Sequence, residues 1–229
     1  MKKKSSKRSS VFRFIPQASI FYYDDGVTEL GRLGEANRES ISIDQVPLGT
    51  QHAVLAAEDR EFYKHGGFSI RGISRAFVNN LFRSSTQGGS TITQQYAKNA
   101  YLSDERRLKR KVKELVLSMK LETVTSKDKI LEDYLNAIYF GRGAYGIQTA
   151  SLQYFGKSVK DLSIPESAVL ASVIQAPSNL DPDKNLEGLK NRWNYVLDGM
   201  VASGWLKASD RDNMQFPTIL PYTKHQVFG

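Results

Sequence analysis

Residues 53–67 read Ala53-Val-Leu-Ala-Ala-Glu58-Asp-Arg-Glu-Phe-Tyr-Lys-His65-Gly-Gly67, so that a short apolar run ends directly on a glutamate. A helix predicted to start at a Thr50 cap and to extend through Arg60 places Val54 one turn before Glu58 on the same face. A carboxylate held against apolar surface is desolvated, which raises its pKa towards the range of a general acid or base. An ordinary charged helix end is the alternative from this segment alone.

A second segment reads Gly88-Gly89-Ser90-Thr91-Ile-Thr-Gln94-Gln95-Tyr-Ala-Lys98. Two glycines let the backbone pass close to a ligand, and Ser90 or Thr91 can cap the helix that follows. Because free N–H groups at a helix start attract anions, the segment is either a phosphate cradle or an ordinary glycine turn. A P-loop is excluded, since no Gly-Lys-Ser/Thr follows at the required spacing. Gln94 and Lys98 are four residues apart and are predicted to share one helix face.

A third segment is strongly basic, since six of the eight residues from Arg106 to Lys113 are Lys or Arg. As a helix it has an apolar stripe about 100° wide, expected to dock on a core, which consists of Leu108, Val112, Leu115, Val116 and Met119. Arg106, Arg110 and Lys113 lie opposite this stripe, and Glu114 is the acid at their edge. Such a cationic ridge suits a pyrophosphate or a polyanion. A solvated helix face and a nucleic-acid-binding surface are the alternatives, although no aromatic residue is interleaved with the ridge.

The rest of the chain predicts a mainly α fold with a short β element near the N-terminus. Ser126 is expected to cap a core helix whose inward side chains are Ile130, Leu131, Tyr134, Leu135 and Ile138. Near the start, residues 19–23 and 28–33 resemble the two strands of a hairpin around a turn at Asp24-Asp25-Gly26.

Composition limits the classes of function. The 229 residues include 32 Lys and Arg and 24 Asp and Glu, a net charge of +8, with five of the positive charges in the first ten residues. Residues 1–17 are predicted to be a basic disordered tail or the remnant of a membrane-proximal segment. The absence of cysteine excludes disulfides and thiolate sites, and three scattered histidines argue against a metal centre. No apolar stretch is long enough for a membrane span, and no clean export signal is present.

Five motifs, in order along the chain, resemble the peptidoglycan glycosyltransferase family (glycosyltransferase family 51), the transglycosylase domain of class A penicillin-binding proteins and monofunctional transglycosylases. They are Glu58-Asp-Arg-x-Phe-x-x-His-x-Gly, Gly88-Gly-Ser-Thr-Ile-Thr-Gln-Gln, Arg110-Lys-x-x-Glu114, Lys129-Ile-Leu-Glu-x-Tyr-Leu-Asn-x-Ile-Tyr-Phe-Gly-x-Gly-Ala-Tyr-Gly-Ile and Ala168-x-Leu-Ala-x-x-x-x-Ala-Pro-Ser. The resemblance covers about residues 25–215. One departure is Ser69, which stands where the family usually has an Asp.

The resemblance implies a lysozyme-like globular lobe and a smaller, partly hydrophobic jaw lobe at the membrane. Residues 18–229 would form this domain, with the jaw at approximately 66–105. Between Phe68 and Gln87, apolar residues alternate with arginines, which suits an interfacial segment, although an ordinary core helix fits the same pattern. The implied location is the outer face of the bacterial cytoplasmic membrane.

The implied reaction is polymerisation of lipid II into β-1,4-linked glycan, with inversion and release of undecaprenyl pyrophosphate, in peptidoglycan synthesis and the maintenance of cell shape. The implied partners are lipid II, the growing glycan chain, moenomycin-type inhibitors, the membrane surface and divisome or elongasome proteins, but not nucleic acid. No cofactor is required, and a divalent cation, Mg²⁺ or Mn²⁺, at the pyrophosphate is compatible with the resemblance.

Carried over residue by residue, the resemblance makes Glu58 the base and Glu114 the second essential acid. The substrate and pyrophosphate ligands would be Lys98, Arg106, Arg110, Lys113, Ser90, Thr91, Gln94 and Gln95. The supporting motif residues would be Asp59, Arg60, Phe62, His65, Gly89 and Lys111. A lytic transglycosylase or muramidase, a basic nucleic-acid-binding module and a non-catalytic cell-wall scaffold are the alternatives.

Overall fold

The computed structural model of the chain describes residues 19–22, 29–33, 37–65, 90–101 and 107–222. The helices in these ranges are α1 (Leu48–Glu58), α2 (Ile92–Tyr101), α3 (Arg107–Val124), α4 (Lys127–Ala137), α5 (Ile147–Phe155), α6 (Ile164–Val173), α7 (Leu186–Ala202) and α8 (Ala208–Asp212). Short 3-10 turns lie at Ile43–Gln45, Phe62–Lys64 and Val159–Asp161. The expected mainly α fold is confirmed.

Four short strands complete the described structure. Strand β1 (Ser19–Tyr22) pairs antiparallel with β2 (Glu29–Leu33), as the hairpin prediction required. Strand β3 (Asn37–Arg38) pairs parallel with β4 (Ala144–Tyr145). The predicted turn at residues 24–26 and the predicted tail at residues 1–17 lie outside the described residues.

Helices α1, α6 and α7 pack against one another, and α1 contacts both of the others. Its residues Ala53, Val54, Leu55 and Ala56 are all buried. Helix α6 is buried on every side from Glu166 to Val173, as expected for a helix at the middle of a core. It begins in a capping box, in which Ser163 and Glu166 satisfy each other's backbone N–H groups. The apolar run before Glu58 therefore lies inside the protein.

The predicted start and end of α1 were wrong. The helix begins at Leu48 after Pro47 and ends at Glu58, so it does not reach Arg60. Thr50 is buried in the first turn, and its hydroxyl pairs with the hydroxyl of Ser167 on α6 at 2.7 Å. The Thr50 side chain, which the local sequence predicted to be a helix cap, thus forms a tertiary hydrogen bond instead.

Helix α2 packs against both α3 and α4. The Thr93 hydroxyl of α2 donates to the Glu122 carboxylate of α3 at 2.5 Å, and the same carboxylate accepts from Lys127 of α4 at 2.7 Å. Ser126 caps α4 by accepting from the Lys129 N–H, and the five predicted inward residues of this helix are all buried. The second core helix is therefore as predicted.

The apolar stripe predicted on α3 does not dock as a whole. Leu115 is partly buried, whereas Val116 is 43% and Met119 is 39% exposed. The side chains of Leu108 and Val112 lie outside the described residues. Helical periodicity located one face of the helix, but it did not show how much of that face is covered.

The turn at residues 141–143, after α4, is buried at Arg142. The Arg142 guanidinium donates to the Leu220 carbonyl at 2.6 Å and to Asp183 at 3.0 Å. The ring of Tyr154 lies below the guanidinium, with 4.7 Å from its centroid to the Arg142 Cζ. These contacts hold the C-terminal part of the described chain against α5.

Gly146 and Gly204 are a matched pair for testing backbone strain. Gly146 has φ 85° and ψ 150°, a conformation almost restricted to glycine, and a Cβ there would lie 3.0 Å from the Asn136 carbonyl oxygen. Gly204 has φ 73° but open space around it. We expect Gly146→Ala to lower the free energy of unfolding by about 3 kcal/mol and Gly204→Ala by about 1 kcal/mol. Urea denaturation measures both, and equal losses would contradict the role assigned to the Asn136 contact.

Candidate active site

The C-terminus of α1 places the Glu58 side chain between side chains of α2 and α7, and a residue of α4 contacts it indirectly. Glu58 is the last residue of the helix, and its side chain is 12% exposed. Gln95 of α2 donates from Nε2 to the Glu58 Oε2 at 2.9 Å. The Arg192 Nη2 of α7 lies 3.8 Å from the Oε1. Tyr134 of α4 donates from its hydroxyl to the Gln95 Oε1 at 3.0 Å.

The two carboxylate oxygens of Glu58 have different surroundings. Oε2 accepts the Gln95 hydrogen bond, whereas Oε1 is buried without a hydrogen-bond partner among the residues that the structure describes. Burial raises the pKa of Glu58, and the nearby negative charge of Asp59 adds to the rise. The Gln95 hydrogen bond and the Arg192 charge act in the opposite direction. The result is a carboxylate with a raised proton affinity and one oxygen ready to accept a proton.

Asp59 orders the segment that follows Glu58. Both of its carboxylate oxygens lie within 2.9 Å of the His65 Nε2, which closes the loop on itself. Its Oδ2 also accepts from the backbone N–H of Ile92, the first residue of α2. The positive end of the α2 helix dipole stabilises a carboxylate at this position. The motif acid and the motif histidine therefore fix α2 relative to Glu58.

Arg60 and Phe62 hold the same segment against the rest of the protein. The Arg60 Nε donates to the Ala56 carbonyl at 3.1 Å, and its guanidinium lies 5.1 Å from the ring centroid of Tyr195 on α7. Phe62 is buried, and the Lys127 Nζ lies 4.4 Å from its ring centroid. Both side chains therefore pack against neighbouring elements, and their supporting role in the site stays a prediction.

The second motif contributes unequally to the site. Thr91 caps α2 by accepting from the Gln94 N–H at 3.3 Å, which confirms one of the two predicted caps. Gln95 contacts Glu58. Gln94 and Lys98 both lie in α2, four residues apart on one face as predicted, although Gln94 is buried and Lys98 is exposed. Ser90 lies just before the helix, and its carbonyl accepts weakly from Gln95 at 3.4 Å.

Glu114 is buried on α3, the helix that packs on the other side of α2. For Arg110, Lys111 and Lys113 the structure gives the helical backbone only, and Gly89 and Arg106 lie outside the described residues. Of the predicted jaw lobe, residues 66–89 and 102–105 lie outside as well. Of the predicted pyrophosphate ridge, Arg110 and Lys113 are therefore placed on α3 by its backbone, and their contacts stay a prediction.

Two residues of the site were missed by sequence analysis. Arg192 was not selected because it belongs to none of the five motifs and lies 135 residues from Ala57, whose carbonyl accepts from it at 3.0 Å. Tyr134 was assigned to the core only. A signal for it was available, since a buried tyrosine hydroxyl normally has a hydrogen-bond partner.

Within the described ranges, no three His, Asp or Glu side chains are grouped as ligands for a metal ion. None of the helices there combines the length and apolar character that a membrane crossing needs.

The sequence matches the family model described as Transglycosylase over residues 25–201. Penicillin-binding protein 1A of Mycolicibacterium smegmatis is 53% identical over 213 residues, which are 90% of this chain and 27% of that protein. Penicillin-binding protein 1F of Bacillus subtilis is 41% identical over 219 residues, 93% of this chain and 30% of that protein. The chain thus spans less than a third of the length of these relatives.

Among solved structures, the 2.6 Å crystal structure of penicillin-binding protein 1A from Haemophilus influenzae is similar, with a TM-score of 0.51. The match covers 92% of this chain and 22% of that chain, at 22% sequence identity. At this identity the similarity is one of fold alone.

The raised pKa of Glu58 predicts a pH-dependent change in stability. Because the folded state favours the protonated form, the stability that this group contributes is lost as pH rises through the folded pKa. Glu58→Gln removes the buried charge, so we expect it to stabilise the protein by on the order of 1 kcal/mol at about pH 8 and much less at about pH 5. Urea denaturation at both pH values measures this.

The matched control is Glu187→Gln, which changes an exposed acid in the first turn of α7. It should change stability little at either pH. A Glu58→Gln variant that gains more stability at low pH than at high pH would contradict the burial argument.

Proposed function

The chain belongs to the transglycosylase family, glycosyltransferase family 51, and from this premise we propose that it is a peptidoglycan glycosyltransferase. Its substrates would be lipid II and a growing glycan chain carried on undecaprenyl pyrophosphate. The observation that carries the proposal is the Glu58 carboxylate, held by Gln95 through one oxygen and unpartnered at the other. Such a group suits deprotonation of a sugar hydroxyl.

In the proposed reaction, Oε1 of Glu58 takes the proton from the 4-hydroxyl of the lipid II GlcNAc. The hydroxyl oxygen forms a bond to the anomeric carbon of the donor MurNAc as the bond from that carbon to the pyrophosphate oxygen breaks. The electron pair leaves with undecaprenyl pyrophosphate, and attack from the opposite face turns an α-linked donor into a β-1,4 bond. Positive charge near the pyrophosphate stabilises the departing group.

The cations proposed for that charge are Lys98, Arg106, Arg110 and Lys113. Lys98 is supported by its exposure on α2, the helix that also carries Gln95. Arg110 and Lys113 are supported by their place on α3, which packs against α2. Ser90, Thr91 and Gln94 at the start of α2 would complete the donor side, and Lys111 and Gly89 would support it.

Glu114 is proposed as the second acid, which orients the cations on the pyrophosphate side. Its burial on α3 supports this role, because a buried carboxylate is retained where it has charged or polar partners. A divalent cation, Mg²⁺ or Mn²⁺, would add positive charge at the pyrophosphate, and the deprotonation by Glu58 does not depend on it.

Location and further partners are proposed from the same family membership. The enzyme would act at the outer face of the bacterial cytoplasmic membrane, bind moenomycin-type inhibitors at the donor site and work with divisome or elongasome proteins. A lytic transglycosylase and a nucleic-acid-binding module are not favoured, because the family match accounts for the motifs across most of the chain.

Replacing the proposed base tests the function directly. We expect Glu58→Gln to lower lipid II polymerisation by at least about a hundredfold, since general base catalysis typically contributes that much or more. The measurement is glycan formation from lipid II in detergent, followed by electrophoresis of the polymer. Glu187→Gln should polymerise as the wild type does. Wild-type rates from Glu58→Gln would remove the base role.

The proposed donor-site cations can be tested by binding alone. We expect Lys98→Ala and Arg106→Ala each to weaken moenomycin binding by about tenfold, because each removes a charge-assisted contact to phosphate. Calorimetric titration measures the affinity. Lys184→Ala, a change at an exposed lysine outside the five motifs, is the control. Affinities equal to the control would contradict the assignment of these cations.

A further inference from the structure

A chain of two directed hydrogen bonds runs from the core to the Glu58 carboxylate. It starts at Tyr134, which is fully buried on α4. The Tyr134 hydroxyl is 3.0 Å from the Gln95 Oε1, and the Gln95 Nε2 is 2.9 Å from the Glu58 Oε2. Gln95 is thus held at both ends of its amide, by a core residue on one side and by the carboxylate on the other.

The direction of these bonds follows from the chemistry of their ends. An ionised carboxylate only accepts hydrogen bonds, so the contact between Gln95 and Glu58 is a hydrogen bond only while the NH₂ group of Gln95 faces Glu58. The amide oxygen then faces Tyr134, which has to donate. Burial, together with the negative charges of Glu58 and Asp59, raises the pKa of Tyr134 well above its usual range, so its proton is retained.

We propose that Tyr134 is a positioning residue for the transglycosylase reaction, which orients the Gln95 amide so that its N–H, and not its carbonyl, faces Glu58. This inference rests on the proposed role of Glu58 as the base. The amide would otherwise be able to turn over, because its other described anchor is a weak 3.4 Å contact to the Ser90 carbonyl. Turned over, its oxygen would face the carboxylate and raise the proton affinity of Glu58.

The other charged groups around Glu58 do not supply this orientation. Arg192 of α7 lies on the Oε1 side, and Asp59 is engaged by His65 and by the start of α2. Lys98, the charged residue of α2, is exposed. Glu166, the charged residue of α6, pairs with Lys157 and Ser163. Among the described residues, the donor to the amide oxygen of Gln95 is therefore the Tyr134 hydroxyl.

The test is Tyr134→Phe, which keeps the buried ring and removes only the hydroxyl. Loss of the fixed N–H donor raises the pKa of Glu58, so the acid limb of the kcat/KM profile for lipid II polymerisation moves to higher pH. At pH values on that limb we expect kcat/KM to fall by about tenfold, with recovery towards the wild-type value as pH rises. An unshifted pH profile in a folded variant would overturn the proposal.

The matched control is Tyr154→Phe, which removes the hydroxyl of another fully buried tyrosine. Its hydroxyl donates to the Phe140 carbonyl at 2.7 Å, outside the Glu58 network. Both variants lose a buried hydrogen bond, so both should be less stable in urea denaturation. Tyr154→Phe should keep the wild-type pH profile. A shift of equal size in the two variants would assign the effect to general loosening and contradict the proposal.

A double variant tests whether Tyr134 acts through Gln95. Gln95→Met keeps the length of the side chain but cannot hold the carboxylate. If the hydroxyl acts only through the amide, adding Tyr134→Phe to Gln95→Met should cause no further change in the pH profile. Additive shifts would mean that Tyr134 acts on Glu58 by another route.

Isotope-edited NMR separates failure of this inference from failure of the proposed function. In glutamate-labelled protein, the Glu58 signal is assigned by its absence in Glu58→Gln, and its titration is then followed without substrate. We expect a higher Glu58 pKa in Tyr134→Phe than in wild type or Tyr154→Phe. If the wild type makes no glycan, the function fails while this titration still tests the positioning role. If it makes glycan and the Glu58 titrations are equal, only the positioning role fails.

Discussion

The site depends on keeping a carboxylate at the dry end of an apolar helix. Four consecutive apolar residues from Ala53 to Ala56 are buried between α6 and α7, and Glu58 follows them within one turn. The protein offsets part of the desolvation of Glu58 with one amide hydrogen bond and one guanidinium at a distance. It leaves the remaining oxygen without a partner in the described structure, which is unfavourable for stability and useful for proton transfer. The same burial that builds the core therefore raises the pKa of Glu58.

Helix α2 connects the parts of the site. Its start is tied to the loop after Glu58 through Asp59, its Gln95 contacts the carboxylate, and its Thr93 bonds to α3. One helix thus touches the proposed base on one side and the helix of the proposed cationic ridge on the other. Family membership is the basis of the proposed reaction, and the contacts of α2 physically link the first two motifs.

Local features were predicted well from the sequence, and contacts between distant residues were not. The Ser126 cap and the inward face of α4 depend on neighbouring residues, and both were confirmed. Thr50 was misassigned because its partner, Ser167, is 117 residues away. The apolar run before Glu58 made it a candidate and the family resemblance made it the expected base, whereas Arg192 has no local pattern that points to the site. The hydroxyl of Tyr134 was missed because helical periodicity treats the whole side chain as core.

The hydrogen bonds of Arg142 to Leu220 and Asp183 affect where this domain can be truncated or fused to another protein. The Leu220 N–H donates to the Tyr154 carbonyl at 2.9 Å, while the Leu220 carbonyl accepts from Arg142. Both backbone groups of Leu220 are therefore hydrogen-bonded to the domain, and these bonds do not depend on its side chain. A truncation before Leu220 would remove the carbonyl that accepts from the buried Arg142 guanidinium. A tag or a second module is therefore better joined beyond Tyr222.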